Sequence, residues 1–182
     1  MSTRALVHVC CGPCFIHPLR ELRDAGYEPH GYFYNPNIFP RQEYDRRCDG
    51  ARQYAADQVC EFVAEDYQPD QYETARGVEA TAPRRCVKCW ELRLRGTAQY
   101  AAGHGFSVFT STLLVSPFQD INVINSLGEQ VAQEAGVTFY PQDFRSGFRA
   151  AQQTAREQNM YRQNYCGCRF SWEERNQRVG QT

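Results

Sequence analysis

Hydrophobic positions along the chain fall into short strand-like runs that alternate with longer helix-like stretches. Residues 4–9 (RALVHV) form an apolar, β-branched run that ends at the turn residues Gly12-Pro13, as a buried strand does. Residues 15–25 follow with helical spacing and close at Gly26. Residues 30–34 (HGYFY) predict a second strand, stopped by Asn35-Pro36-Asn37. A charged helix is expected over 41–58, a short strand over 59–64, and a polar helix plus loop over 67–82. Residues 85–102, rich in Ala and Leu, give the clearest helix of the chain, ahead of a strand at 107–112. A helix over 121–135 stops before Gly136, a last strand spans 137–140, and further helices are expected over 150–161 and 172–178.

Strands alternating with helices of this length imply an α/β fold, a parallel sheet with helices on both faces. No repeat, low-complexity linker or boundary interrupts the pattern, so residues 1–182 read as a single α/β domain. Functional sites of such sheets gather beyond the carboxyl ends of the strands. The first strand runs straight into Cys10-Cys11.

Composition narrows the class without naming it. Apolar residues make up 42% and charged residues 23% of 182, with 11 Tyr, 11 Phe and 2 Trp, which is globular and not disordered. A net charge of −1 excludes nucleic-acid binding by bulk electrostatics. A local patch remains open, because Lys88 is the only lysine and the remaining cations are Arg, the residue suited to phosphate. No run approaches the ~18–20 apolar residues of a membrane span, and the first strand carries no cleavage pattern of a signal peptide. The chain therefore reads as soluble and cytoplasmic, with no membrane partner.

The chemistry lies in the cysteines. There are nine, an odd number that fits a disulfide framework badly. Seven fall into the groups Cys10-Cys11-x-x-Cys14, Cys86-x-x-Cys89 and Cys166-Gly167-Cys168, whereas Cys48 and Cys60 stand alone as fillers. Thiolates at a strand-to-helix turn gain from the helix N-terminus. Adjacent cysteines do not easily chelate one zinc ion but suit two metals of a cluster. Cys10, Cys11, Cys86 and Cys89 together offer four thiolates, enough for zinc or an iron–sulfur cluster. The CxC pair fits either a strained, redox-active disulfide or a second metal site.

Seven motifs carry a resemblance to a known family. They are His8-Val9-Cys10-Cys11-Gly12-Pro13-Cys14, Phe33-Tyr34-Asn35-Pro36-Asn37-Ile38, Glu43-Tyr44, Arg85-Cys86-x-x-Cys89, TSTLLVSP (110–117), Asp143-Phe144-Arg145, and Tyr161-Arg162-Gln163-x-Tyr165-Cys166-Gly167-Cys168. In order and over nearly the whole chain, these resemble the QueH family of epoxyqueuosine reductases. The resemblance implies a fold similar to nucleotide-binding α/β hydrolase-like proteins of the HUP type. It implies removal of the epoxide oxygen of epoxyqueuosine at the wobble position of tRNA, the last step of queuosine biosynthesis, without cobalamin. The phosphate loop (SGGxDS) of ATP-using relatives is absent and CCGPC stands in its place, so ATP use is not expected.

By the same resemblance, Cys10, Cys11, Cys86 and Cys89 match ligands of a [4Fe-4S] cluster, and Cys166 and Cys168 match a redox-active disulfide pair. Cys14 stands where the family also accepts Asp, which suits a ligand of an additional mononuclear iron. Turning an epoxide into an alkene takes two electrons and two protons, and the oxygen leaves as water. A low-potential ferredoxin or flavodoxin is the expected electron donor. Tyr34, Asn35 and Asn37 are candidates for nucleoside contact or for a purely structural Asn-Pro turn. Asp143 and Arg145 are candidates for binding phosphate or for a surface ion pair. Arg162, Gln163 and Tyr165 are expected to contact substrate, with Tyr and Arg stacking on unpaired bases of the tRNA anticodon arm. His8 reads as a core histidine, and Glu43 and Asp143 are both open as proton donors. The competing readings are a zinc-stabilised tRNA-binding module and a general thiol–disulfide oxidoreductase.

Overall fold

The structure is a computed structural model that describes residues 2–179. Five parallel strands form one sheet: β1 (Thr3–His8), β2 (Tyr27–Phe33), β3 (Phe62–Ala64), β4 (Val108–Ser111) and β5 (Thr138–Phe139). Their order across the sheet is β3-β2-β1-β4-β5, so the chain first winds outward from β1 and then crosses back to the other side. Seven α-helices connect and flank the strands: α1 (Gly12–Asp24), α2 (Arg41–Asp57), α3 (Pro69–Arg76), α4 (Arg84–Gly103), α5 (Ile121–Ala135), α6 (Phe148–Glu157) and α7 (Arg169–Val179).

The two-residue period of the strands divides the core in two. Leu6, Tyr32, Phe109 and Phe139 face one way and pack with Leu94, Ala98 and Ala101 of α4 and Ile124 and Val131 of α5. Val7 and Phe33 face the other way and pack with Phe15, Ile16 and Leu19 of α1, Tyr44 and Ala51 of α2, and Ala151 and Ala155 of α6. Helices cover both faces, as the alternation predicts. Both faces being apolar explains why the strands show no polar side in sequence.

Several boundaries differ from expectation, among them those of α1, β3, β5 and α6. Helix α1 starts at Gly12, three residues early, with Cys11 as an extended N-cap and Gly12-Pro13 inside its first turn. Proline is accommodated there because its missing N–H would be unpaired anyway. Gly12 admits no side chain, since a Cβ would stand 2.8 Å from Met160 and 2.9 Å from the Gly50 carbonyl. Strand β3 starts at Phe62 because Val59 takes a left-handed φ of 50°. Strand β5 keeps only Thr138–Phe139. Helix α6 begins at Phe148 and ends at Glu157, with Asn159 left-handed at φ 53°, which releases residues 160–168 as a loop over the carboxyl ends of the strands.

Candidate functional site

The end of β1, the start of α1 and the turn after β4 meet at three sulfurs. The backbone N–H of Cys10 donates to Thr112 Oγ1 at 3.0 Å, and that hydroxyl donates back to Cys10 Sγ at 3.2 Å. The extended Cys11 and the first turn of α1 then fold Cys14 beside them, so that the Sγ atoms of Cys10, Cys11 and Cys14 lie within 4.8 Å of one another. The extended N-cap conformation of Cys11 thus leaves its thiol beside that of Cys10, close enough for the three sulfurs to reach one ion. Hydrogen bonds from Cys11 and Cys14, with a further one from Thr112, hold the Cys10 thiol well below its ordinary pKa. Burial pushes Cys11 up, and hydrogen bonds to Cys10 and Cys11 push Cys14 up. Of the three sulfurs, Cys10 is thus the one that gives up its proton most readily. Gln163 Nε2 adds a donor to Cys11 Sγ at 3.1 Å.

A second group forms at the head of α4. Cys89 is buried, its pKa pushed up to about 12, chiefly by burial, and it packs with Tyr72 and Cys168. Cys86, half-buried, has its pKa raised by burial and by the charges of Cys166 and Cys168. Cys166 is exposed and Cys168 buried, and both are free thiols. Arg93, buried one turn beyond Cys89 on α4, has its charged form favoured by Cys89, Cys166 and Cys10 against the cost of burial.

The CxC loop is fixed by a buried ion network. Arg47, 2% exposed, donates to Glu43 Oε1 at 2.7 Å, to the Cys166 carbonyl at 2.9 Å and to the Tyr165 carbonyl at 3.1 Å. Tyr161 donates to the other oxygen of Glu43, and Tyr165 donates to the Phe39 carbonyl. The Phe39 N–H donates to the Gly167 carbonyl at 2.8 Å. Gly167 has φ +137°, a conformation nearly restricted to glycine. Both oxygens of Glu43 are thus engaged, one by Arg47 and one by Tyr161.

Of the remaining expected site residues, Arg162, Gln163 and Tyr165 line a cavity of about 430 Å³ together with Cys14 and Cys166. Tyr34, Asn35 and Asn37 do not line it. Asn35 is buried and donates to the Val9 carbonyl at 2.8 Å, joining the ends of β1 and β2. Tyr34 donates to Gln71 at 2.7 Å, and its ring lies over Gly96, where a Cβ would come within 2.3 Å. Asn37 is buried beside Gly167. Asp143 and Arg145 form an exposed two-pronged ion pair, closest at 2.6 Å, outside the cavity. His8 is a core histidine. Its Nε2–H donates to the Tyr34 carbonyl at 3.1 Å, so Nδ1 accepts from Ser111 at 2.9 Å. Burial, aided by Arg93, lowers its pKa to about 4 and keeps it neutral. Cys48 and Cys60 are buried away from the other seven, Cys60 donating to the Pro29 carbonyl at 3.1 Å. Among the described residues, no helix is long and apolar enough to cross a membrane.

Among the residues that sequence reasoning missed are Phe118, Gln119, Arg47 and Arg93. Phe118 is 87% exposed at the cavity mouth, edge-on to Phe148, and Gln119 donates toward Cys166 Sγ at 3.8 Å. An aromatic directly after the TSTLLVSP motif was the available signal for the first two. Arg93 looked like any helix-surface arginine.

A family model described as epoxyqueuosine reductase QueH matches residues 5–174. An epoxyqueuosine reductase QueH from Dehalococcoides mccartyi is 35% identical over 176 residues, covering 96% of each chain. The one from Thermotoga maritima is 33% identical, covering 95% of this chain and 92% of its own. Among solved structures, a predicted subunit of a tRNA methyltransferase from Methanocaldococcus jannaschii superposes with a TM-score of 0.53. That likeness, at 14% identity over 85% of this chain and 75% of the other, is one of fold. Motifs, cysteine geometry and relatives agree: the chain belongs to the QueH family of epoxyqueuosine reductases.

Proposed function

We propose that this protein reduces the epoxide of epoxyqueuosine in the tRNA anticodon to give queuosine, at an iron–sulfur centre and without cobalamin. The reading assigns a [4Fe-4S] cluster to Cys10, Cys11, Cys86 and Cys89, and an additional iron to Cys14. The observation that carries it is the closeness of Cys10, Cys11 and Cys14 at the end of β1, with Cys14 and Cys166 lining one cavity and Cys89 packed against Cys168.

The donor set suits the group. Its neighbours hold the Cys10 thiol below its ordinary pKa, which favours the thiolate form that binds iron. The buried Nη2 of Arg93, beside Cys89 and without a partner among the described residues, calls for negative charge there. When bound, the cluster supplies single electrons and an iron at Cys14 supplies a Lewis acid for the departing oxygen.

The chain's own residues do the rest. Arg162, Gln163 and Tyr165 line the cavity beside Cys14 and Cys166, where stacking and amide hydrogen bonds would hold the modified base. The exposed Cys166 and buried Cys168 form the proposed redox pair. Oxidation of two thiols to a disulfide yields two electrons and two protons, the number the epoxide consumes on becoming an alkene and water. A low-potential ferredoxin or flavodoxin would restore the dithiol in the cytoplasm. With a net charge of −1, most of the recognition is assigned to the tRNA anticodon arm.

The mutual closeness of Cys10, Cys11 and Cys14 also suits a single structural zinc in an RNA-binding module. Nucleoside mass analysis of tRNA from a strain lacking the protein separates the readings. Epoxyqueuosine accumulates if the proposal holds and is cleared by restoring the gene; normal queuosine in that strain refutes it.

A further inference from the structure

Arg93 lies one turn beyond Cys89 on α4 and is 3% exposed. Its Nε donates to the Cys89 carbonyl at 3.2 Å, while among the described residues Nη2 has no hydrogen-bond partner. Each of the other two buried arginines meets a carboxylate, Arg47 at Glu43 and Arg85 at Glu174. Arg93 does not. Its strongest electrostatic partners are Cys89, Cys166, Cys10 and Tyr72.

An isolated buried guanidinium costs several kcal/mol, so its counter-charge has to be close by. The neighbours able to carry one are thiolates, drawn from both cysteine groups.

We propose that Arg93 is the counter-cation of an anionic, thiolate-bound centre formed between the two cysteine groups, and thereby a positioning residue that sets how readily the centre takes up an electron. Reduction adds negative charge, and a fixed cation in a dry site stabilises the reduced form. The inference rests on the iron–sulfur reading above and adds to it one residue and one measurable property.

The test is a redox titration of the iron-loaded full chain with Arg93→Lys and Arg93→Met, with iron content and thermal midpoint measured on each sample. Arg93→Met is expected to make reduction at least tenfold less favourable, which is 59 mV for one electron. Arg93→Lys keeps the charge and is expected to stay within about threefold of the unmutated chain, roughly half that shift. A methionine variant with unchanged potential, or a lysine variant displaced as far as methionine, overturns the proposal. Should Arg93→Met bind no iron, the metal-free thermal midpoint decides. A value equal to or above that of the metal-free parent supports the counter-charge role, because an uncompensated buried cation has been removed. A lower value, or failure to fold, makes Arg93 a packing piece and ends the proposal. A parent chain that holds no iron–sulfur centre instead defeats the cofactor reading itself.

Discussion

The Arg47 guanidinium donates to the carbonyl of Cys166 at 2.9 Å, a contact between residues 119 positions apart. It ties helix α2 to the CxC loop and uses Glu43 as the balancing charge. Removing one partner of a buried pair leaves the other uncompensated, at a cost of about 3–5 kcal/mol. Arg47→Met is therefore expected to lower unfolding free energy by that amount in urea titrations, and Glu43→Gln in the same background to recover part of it. Additive losses would mean that the pair is not a unit.

Gly167→Ala tests the same loop from the backbone. At φ +137° an alanine is strained by about 1–3 kcal/mol, and its Cβ would stand 3.1 Å from Arg47 Nη1. The expected result is a destabilised protein whose Cys166 alkylates faster than in the parent. Unchanged stability would show that the loop relaxes freely.

Phe118 stands almost fully exposed at the cavity mouth, its ring edge-on to Phe148 at 6.3 Å. Stacking of an unpaired base on such a ring is worth about 1–3 kcal/mol. Phe118→Ala is expected to weaken binding of an anticodon stem-loop about 5–150-fold, with Phe118→Trp retaining it, as read by fluorescence titration. Equal affinity of the alanine variant would remove Phe118 from the interface.

Burial raises the pKa of the Cys60 thiol above its usual value, so the folded state favours the neutral form. The stability this gives is complete below the ordinary thiol pKa of ~8.5 and is lost as pH rises through the raised value. Thermal midpoints measured upward from neutral pH should fall through that range, and less steeply in Cys60→Ala. An identical alkaline slope in the variant would contradict the assignment.

The layered fold was legible because strands buried on both faces read as apolar runs and α4 as an unbroken Ala- and Leu-rich helix. The motif cysteines were legible as groups for the same local reason: spacing is written in sequence. Distance was not. That Cys14 closes on Cys10 and Cys11 depends on Cys11 acting as an extended N-cap, and the Gly12-Pro13 pair reads equally as a turn outside the helix. Glu43 read as an open acid, and only tertiary structure supplies Arg47 and Tyr161 to occupy both its oxygens. Arg93 was invisible because its partners come from three remote segments.

The most direct measurement is anaerobic turnover with tRNA bearing epoxyqueuosine and a low-potential reductant, followed by mass analysis of the nucleosides. The account predicts queuosine from the iron-loaded chain and none from Cys10→Ser or Cys89→Ser, whose iron content falls in parallel. Undiminished conversion by either serine variant, or by protein stripped of iron, would contradict it.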